Sequence, residues 1–397
     1  MANNNNNKIL NVPNLRFPEF TGEWKKCKLG DVANLTKGVG ISKGQKSSKG
    51  NPCILYGELY TTYKSEMITD IVSKTNIDSA NLAKSKYNDV IIPSSGETAI
   101  DISTARCVQY NDVLLGGDLN IIRLNDGNDG SFFSYQLNGV RKRDIAKVAQ
   151  GVSVVHLYGE TLKTIKVNSP ELAEQNKISS LLCLIDQRIS TQNKIIEDFK
   201  KLMSAIIDLF YITSDRCCRL GDLIIQTSER NKGKIKNAVL SVSNKNGFVI
   251  QSEQFEDRVI ASDDISNYKI VQLNDFAYNP ARINVGSIAR LSEYKEGIVS
   301  PMYICFKTNK LILSEFIEHF FKTRYFYGEM IKRLEGSVRL CLSYESLCDI
   351  YMPLPSIETQ KKKKKRINTV LSKIAIETCV LKNLELEKSF LLQQMFI

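Results

Sequence analysis

The chain has 397 residues, with 54 Lys and Arg against 43 Asp and Glu, ten cysteines and two histidines. That length exceeds one ordinary core and favours two or three domains, and the lack of a basic-apolar leader or of a run near 18 apolar residues leads us to expect a soluble, cytoplasmic protein with no membrane partner. With only His156 and His319, and no C-x-x-C pair, a histidine-based zinc site, a Ser-His-Asp triad and a disulfide scaffold are disfavoured. The formal charge of +11 is uneven, since residues 359–397 hold nine basic and three acidic side chains, chiefly in Lys361–Lys365. Local clusters, rather than the net charge, must carry any nucleic-acid reading.

In chain order, the first recognisable stretch is CKLGDV at 27–32, followed by the loop KGVGISKGQKSSKGN. Lys37, Lys43, Lys46 and Lys49 lie there without one acidic neighbour, and Gly and Ser would let backbone approach phosphates closely. Short β-branched runs such as DVIIP and NIIRL predict strands broken by turns. The unit closes with GVSVVHLYGETLKTIKVNSPELAEQ, from Gly151. Pro170 and the glutamates after it fit a helix start. Ile178, Leu182, Ile185, Ile189, Gln192, Ile196, Phe199, Met203, Ile206 and Phe210 then alternate steps of four and three, a heptad seam that predicts coiled-coil pairing over roughly 50 Å at about 1.5 Å per residue.

The same order then recurs. CRLGDL at 218–223 repeats CKLGDV, and the loop SERNKGKIKN brings Arg230, Lys232, Lys234 and Lys236 to the corresponding place. Strand-like AVLSV and PMYICF follow, and GSVRLCLSYESLCDIYMPLPSIETQ begins at Gly336. Laid without a gap on the earlier segment, it matches Gly151 to Gly336, Glu160 to Glu345, Leu162 to Leu347, Ile165 to Ile350, Pro170 to Pro355 and Gln175 to Gln360. A second seam runs through Ile367, Leu371, Ile374, Thr378, Leu381, Leu384, Lys388, Leu391 and Met395; its two consecutive steps of three, from Thr378 to Leu384, read as a stammer. The lysine run reads as a solvated helix start. We therefore expect an α+β chain of two tandem pseudo-symmetric domains of mixed α/β structure, at 1–170 and 214–358. Two long helices, at 171–213 and 359–397, separate them and pair as an antiparallel coiled coil.

This arrangement resembles the specificity subunit of type I restriction-modification enzymes. The resemblance spans essentially the whole chain and rests on VPNLRFPEFTGEW at 12–24, the two LGD stretches, AYNPARINVGSIARL at 277–291 and the twin Pro-to-Gln segments. It implies two target recognition domains, each reading half of a bipartite double-stranded DNA site, with helices that fix the unread spacer and dock two methyltransferase subunits. S-adenosylmethionine would enter with those subunits, and ATP and magnesium with separate motor-nuclease subunits; this chain would hold no cofactor and perform no catalysis. The lysine-rich start of the second helix departs from the first, and puts helix pairing or methyltransferase docking at that end in question.

The residues themselves show no G-x-x-x-x-G-K-[ST] loop, G-x-G-x-x-G fingerprint or H-E-x-x-H pair. YNPAR at 278–282 lacks the second proline and the aromatic residue of an amino-methyltransferase motif and reads as a turn before a strand. Reading bases calls for bidentate or short polar side chains, and the candidates are Arg106, Gln150 and Ser153 in the first unit and Arg282, Asn284, Arg290 and Arg339 in the second. Two other readings stay open: a coiled-coil scaffold whose β units bind proteins, and a self-contained DNA-modifying enzyme.

Overall fold

The structure, a computed structural model, describes residues 10–212, 217–233, 238–244, 246–251, 264–337 and 339–397. Lys234 and Lys236 lie outside these residues. The chain divides into two compact units, Met1–Asn193 with Cys379–Ile397, and Lys194–Thr378. Each long helix is therefore shared between the units.

In the first unit a five-stranded sheet has the spatial order Ala33–Lys37, Leu119–Leu124, Val90–Pro93, Arg106–Val108 and Met67–Ile68; its pairs are antiparallel except the last, which is parallel. A four-stranded sheet, Leu114–Leu115, Asn51–Ile54, Ser73–Thr75 and Lys46–Ser47, lies in the same unit. In the second unit the sheet Ile224–Thr227, Ile304–Thr308, Phe276–Tyr278 and Ile288–Arg290 repeats the first four strands of the five-stranded sheet in order and in antiparallel sense. Its companion sheet runs Gly247–Ile250, Val239–Ser243, Glu296–Val299 and Lys269–Gln272.

The sequence repeat is a structural one down to single hydrogen bonds. Lys25–Lys28 pairs antiparallel with Lys166–Ser169, and Cys217–Arg219 with Tyr351–Pro353. Each LGD stretch turns directly afterwards: the Leu29 and Leu220 amides donate to the Ile165 and Ile350 carbonyls at 2.8 Å, and the Lys28 and Arg219 amides donate to the Asp31 and Asp222 carboxylates. The recurrent glutamine has an equally specific task. Gln175 donates to the Pro170 carbonyl and accepts from the Asp129 amide, both at 2.9 Å. Gln360 makes the same two bonds, to Pro355 and from Leu313, at the same lengths. Both glutamines are fully buried, so each Pro-to-Gln segment locks the start of a long helix to the domain before it by satisfying groups that burial would otherwise leave unpaired.

The central helix is Leu172–Ile212 and the C-terminal helix Ile357–Gln394. Within the first unit Ile178 and Leu182 share a core with Leu391, Met395 and Phe396, while Asp186 meets Lys388. Partner numbers fall as residue numbers rise, so the helices run antiparallel there. Within the second unit Ile207 and Phe210 share a core with Ile367, and the Lys363 ammonium donates to the Phe210 carbonyl, which gives the same sense.

Two expectations about the C-terminal helix need correction. The less exposed positions include Gln360, Lys363, Ile367, Val370, Ile374, Glu377, Leu381, Leu384, Lys388, Leu391 and Met395, an unbroken alternation of threes and fours, with Lys364, Leu392 and Gln394 partly buried beside them. Leu371, at 40 % exposure, and Thr378 face outward, so there is no stammer. The apparent phase loss came from preferring Leu371 to Val370 and Thr378 to the charged Glu377, whose carboxylate sits 2.5 Å from Lys373. Nor is the lysine run simply solvated: Lys363 lies over the Phe210 ring at 5.4 Å, Lys364 pairs with Glu315 at 2.7 Å and Lys362 with Glu358 at 2.9 Å.

His319 is buried in the second unit, and its Nδ1 has no hydrogen-bond partner among the described residues. Burial, helped by nearby Lys322, pulls its pKa down to about 4. The unfolded chain therefore binds a proton that the folded chain refuses. Stability of this unit should fall as pH drops from about 6.5 towards 4, by about 2–3 kcal/mol. Urea unfolding across that range should show the loss, and His319→Gln should flatten it; an unchanged pH profile in the variant would show that another group is responsible.

Candidate nucleic-acid interface

In the first unit a short hairpin spans Gln150 to His156. It is closed by two reciprocal bonds, Gln150 amide to His156 carbonyl at 2.9 Å and His156 amide to Gln150 carbonyl at 2.7 Å. Its returning arm, Val155–His156, pairs with Ser95–Gly96. Gly151 holds φ +120°, and a Cβ there would stand 2.1 Å from the Val154 carbonyl oxygen, so only glycine permits this turn. The second unit builds the same device: Glu335 and Cys341 exchange bonds of 2.9 and 2.8 Å, Gly336 holds φ +120°, and a Cβ would stand 2.3 Å from the Arg339 carbonyl oxygen. Recurrence of Gly151 as Gly336 thus reflects one backbone requirement met twice.

Around the first hairpin the strand Ala33–Lys37 ends with exposed Lys37, whose ammonium lies 5.9 Å from the Tyr158 ring; that ring stacks beside His156 at 6.2 Å. A cleft of about 1060 Å³ is lined by Ser42, Lys43, Tyr56, Tyr60, Gly117 and Asp118 among others. Tyr60 links cleft and hairpin, because its hydroxyl lies 3.8 Å from where a Gly96 side chain would begin. Lys43 and Lys49 are exposed beside it, and Gln150 and Ser153 are exposed on the hairpin.

In the second unit the Leu342 amide donates to the Pro280 carbonyl at 3.1 Å, which brings the hairpin beside the turn that carries exposed Arg282 and half-buried Asn284. Arg339 is exposed on the hairpin itself. Arg230 and Lys232 are exposed on the loop after strand Ile224–Thr227, and Arg230 donates to Asn267 at 2.8 Å.

Three candidate positions serve the fold instead. Arg106 is 7 % exposed and donates to the Leu59, Tyr63 and Ala105 carbonyls at 3.1, 2.9 and 3.2 Å, so its guanidinium is directed into protein rather than towards a base edge. Arg290 forks onto Glu318 at 2.8 Å and Asn274 at 2.7 Å. Burial pushes Glu318 up, but Lys322 and Arg290 outweigh it and hold that carboxyl below the usual carboxylate range. Lys46 lies 2.5 Å from Glu58, whose carboxylate also accepts from the Leu55 amide and the Ser73 hydroxyl. It shapes the cleft rather than reaching out from it.

Sequence reasoning missed Tyr60 and the apolar hairpin tips. Val152 is 96 % exposed and Val154 52 %, and Leu340 on the second hairpin is 50 % exposed. The available signal was valine or leucine beside a glycine turn, in GVSVVH and GSVRLC, where turn chemistry favours polar residues. Among the described residues there is no group of His, Cys, Asp and Glu able to hold a metal ion, and no helix is long and apolar enough to cross a membrane.

Two sheet-rich units that share two long helices, each unit with the same hairpin and with exposed basic loops, make a tandem-repeat α+β fold. Residues 21–201 match the family model described as the type I restriction modification DNA specificity domain. A relative 21 % identical over 403 residues is the type I restriction enzyme MjaVIII specificity subunit of Methanocaldococcus jannaschii, with 91 % of this chain and 89 % of that protein covered. The crystal structure of a type I restriction-modification S subunit from M. genitalium superposes with a TM-score of 0.59 at 16 % identity, covering 97 % of this chain and 99 % of that one. A chain from a structural study of complex assembly and conformational transition of the type I R-M system has a TM-score of 0.59 at 14 % identity, covering 94 % and 97 %. Residues 21–201, a little under half of the chain, thus match the type I DNA specificity domain, and the whole chain shares the fold of the S subunits.

Proposed function

We propose that the recognition domains, at 1–170 and 214–358, each read one half of a bipartite double-stranded DNA target, and that the paired helices at 171–213 and 359–397 fix the unread spacer. The observation that carries this reading is the duplication of one hairpin, with the same glycine geometry and the same closing bonds, in two units that each expose a basic loop. Lys37, Lys43, Lys49, Arg230 and Lys232 would contact phosphates; Gln150, Ser153, Arg282, Asn284 and Arg339 would face base edges.

The helices serve two purposes in this reading. Their seams hold them together through Ile178, Leu182, Ile185, Ile189, Ile196, Phe199, Met203 and Ile206 on one side and Ile367, Ile374, Leu381, Leu384 and Leu391 on the other. Outside the seam the central helix exposes Leu184, Ile195, Leu202 and Leu209, the last three at heptad spacing. Such an apolar stripe on a solvent face suits docking of partner helices, and we assign it to two methyltransferase subunits that bring S-adenosylmethionine. Motor-nuclease subunits using ATP and magnesium would complete a cytoplasmic restriction complex.

A triple variant, Lys37→Ala, Lys43→Ala and Lys49→Ala, tests the phosphate role. It should weaken DNA binding across sequences and reduce the slope of log affinity against log salt by up to about 3, since each phosphate contact contributes about 0.9. The methylated motif should not change. Binding by the assembled methyltransferase titrated at several salt concentrations supplies the slope; a slope identical to the parent's would remove these lysines from the interface.

A further inference from the structure

The hairpin tips are built in a way that phosphate contact does not explain. Each hairpin is closed at its base by two backbone bonds and opens on a glycine conformation that other residues rarely adopt. Yet the hairpins present Val152 and Val154 in one unit and Leu340 in the other to solvent. A second apolar side chain is exposed on the element each hairpin adjoins: Ile100, 51 % exposed on the helix Ala99–Ile102 that packs on the first hairpin, and Val285, 50 % exposed on the turn Ile283–Val285 that follows Pro280 in the second unit. Their placement is equivalent, since the Leu157 amide donates to the Ser94 carbonyl where the Leu342 amide donates to that of Pro280.

The surroundings of these tips are cationic and hydrogen-bonding. Lys37, Gln150 and Ser153 accompany the first; Arg339 and Arg282 accompany the second. The nearby carboxylates are Asp101, which accepts from the Thr98 hydroxyl at 2.7 Å, Glu335, which is exposed at the base of its hairpin and accepts from the Ser346 hydroxyl at 3.4 Å, and Glu97, which is exposed beside Gly96. An apolar point with a basic and polar rim matches a base stack flanked by phosphates. Apolar side chains pushed between base steps unstack them, and the duplex then opens or kinks at that step. We propose that Val152 with Val154, and Leu340, are a pair of wedges, each entering the base stack of one half-site. The inference rests on the DNA-specificity reading and adds a mechanical role that base-edge contacts do not supply. A hairpin base closed by two backbone bonds suits the task, because it leaves less to be ordered on binding.

The test uses the assembled methyltransferase and a duplex that carries the adenine-methylated split motif of the source cell, with 2-aminopurine placed in one half-site or the other. With the parent complex, fluorescence should rise at both half-sites. Val152→Ser with Val154→Ser should abolish the rise at one half-site only and weaken binding by about tenfold, and an abasic nucleotide at the wedged step should restore affinity. Leu340→Ser should do the same at the other half-site. These exposed positions leave the cores untouched, and co-elution of the variants with the methyltransferase verifies assembly. Fluorescence and affinity equal to the parent's in both variants would overturn the proposal. So would loss of methyltransferase from the variant complexes, which would make the hairpins protein contacts. A parent complex that binds no duplex would instead overturn the DNA-specificity reading, and the wedges with it.

Discussion

Replacing Lys388 with methionine should destabilise the first unit by about 3–5 kcal/mol, the usual cost of removing one partner from a buried ion cluster. The ammonium lies 2.5 Å from Glu66 and 2.6 Å from Asp186, and all three side chains are largely buried. Asp186 also accepts from Tyr135 at 2.8 Å and Ser65 at 3.0 Å, and Glu66 from Asn138 at 3.3 Å. Methionine would fill the lysine's volume and leave two carboxylates facing each other without a cation. Burial alone would lower the Lys388 pKa, but Glu66 and Asp186 outweigh it and raise the pKa above the ordinary lysine value. That contribution is fully present below a pH of about 10.4 and is lost only as pH rises through the raised folded value. The deficit should therefore be constant from neutral to mildly alkaline pH. Urea unfolding measures it, and adding Glu66→Gln and Asp186→Asn should recover most of the loss. A deficit below about 1 kcal/mol would show that the cluster is solvated. Because the network joins both helices to the domain of the first unit, it also specifies the register at which the helices meet, a use for which buried polar groups are suited.

Arg106→Met should cost about 2–4 kcal/mol while leaving the methylated motif unchanged. Its guanidinium ties the Leu59 and Tyr63 carbonyls to the strand Arg106–Val108, and methionine would leave those buried acceptors unsatisfied. Thermal unfolding and motif sequencing together separate the two roles the residue could have. A changed motif with unchanged stability would return Arg106 to the base-reading set.

Much of the architecture was legible because the repeat carries it. The LGD turns, the Pro-to-Gln helix starts and the glycine of each hairpin recur because each meets a backbone demand that few residues meet. The seam of the central helix was legible for the same kind of reason: its apolar residues keep one period through Ile178–Phe210, and none of them is exposed. On the C-terminal helix the rule failed where Val370 and Glu377 take the inward places given to Leu371 and Thr378, since an apolar pattern cannot anticipate an inward charge that pairs with Lys373. Site residues were harder to read. Arginine has the same appearance in sequence whether it reaches a base or a carbonyl, and Arg106 and Arg290 prove to be bound inside the protein. Lys46 sat in an acid-free stretch, but its partner Glu58 comes from the following turn. Tyr60 and the hairpin valines gave little warning, because their setting depends on which loops the sheets bring together.

Under the proposed function this chain selects one split DNA sequence for adenine methylation. Single-molecule sequencing of the source cell's genome, with and without the gene, tests it most directly. The account predicts that deletion removes methylation from one bipartite motif with a fixed spacer and that the intact gene restores it. Methylation of such a motif that persists unchanged in the deleted strain, with no other motif lost, would contradict it.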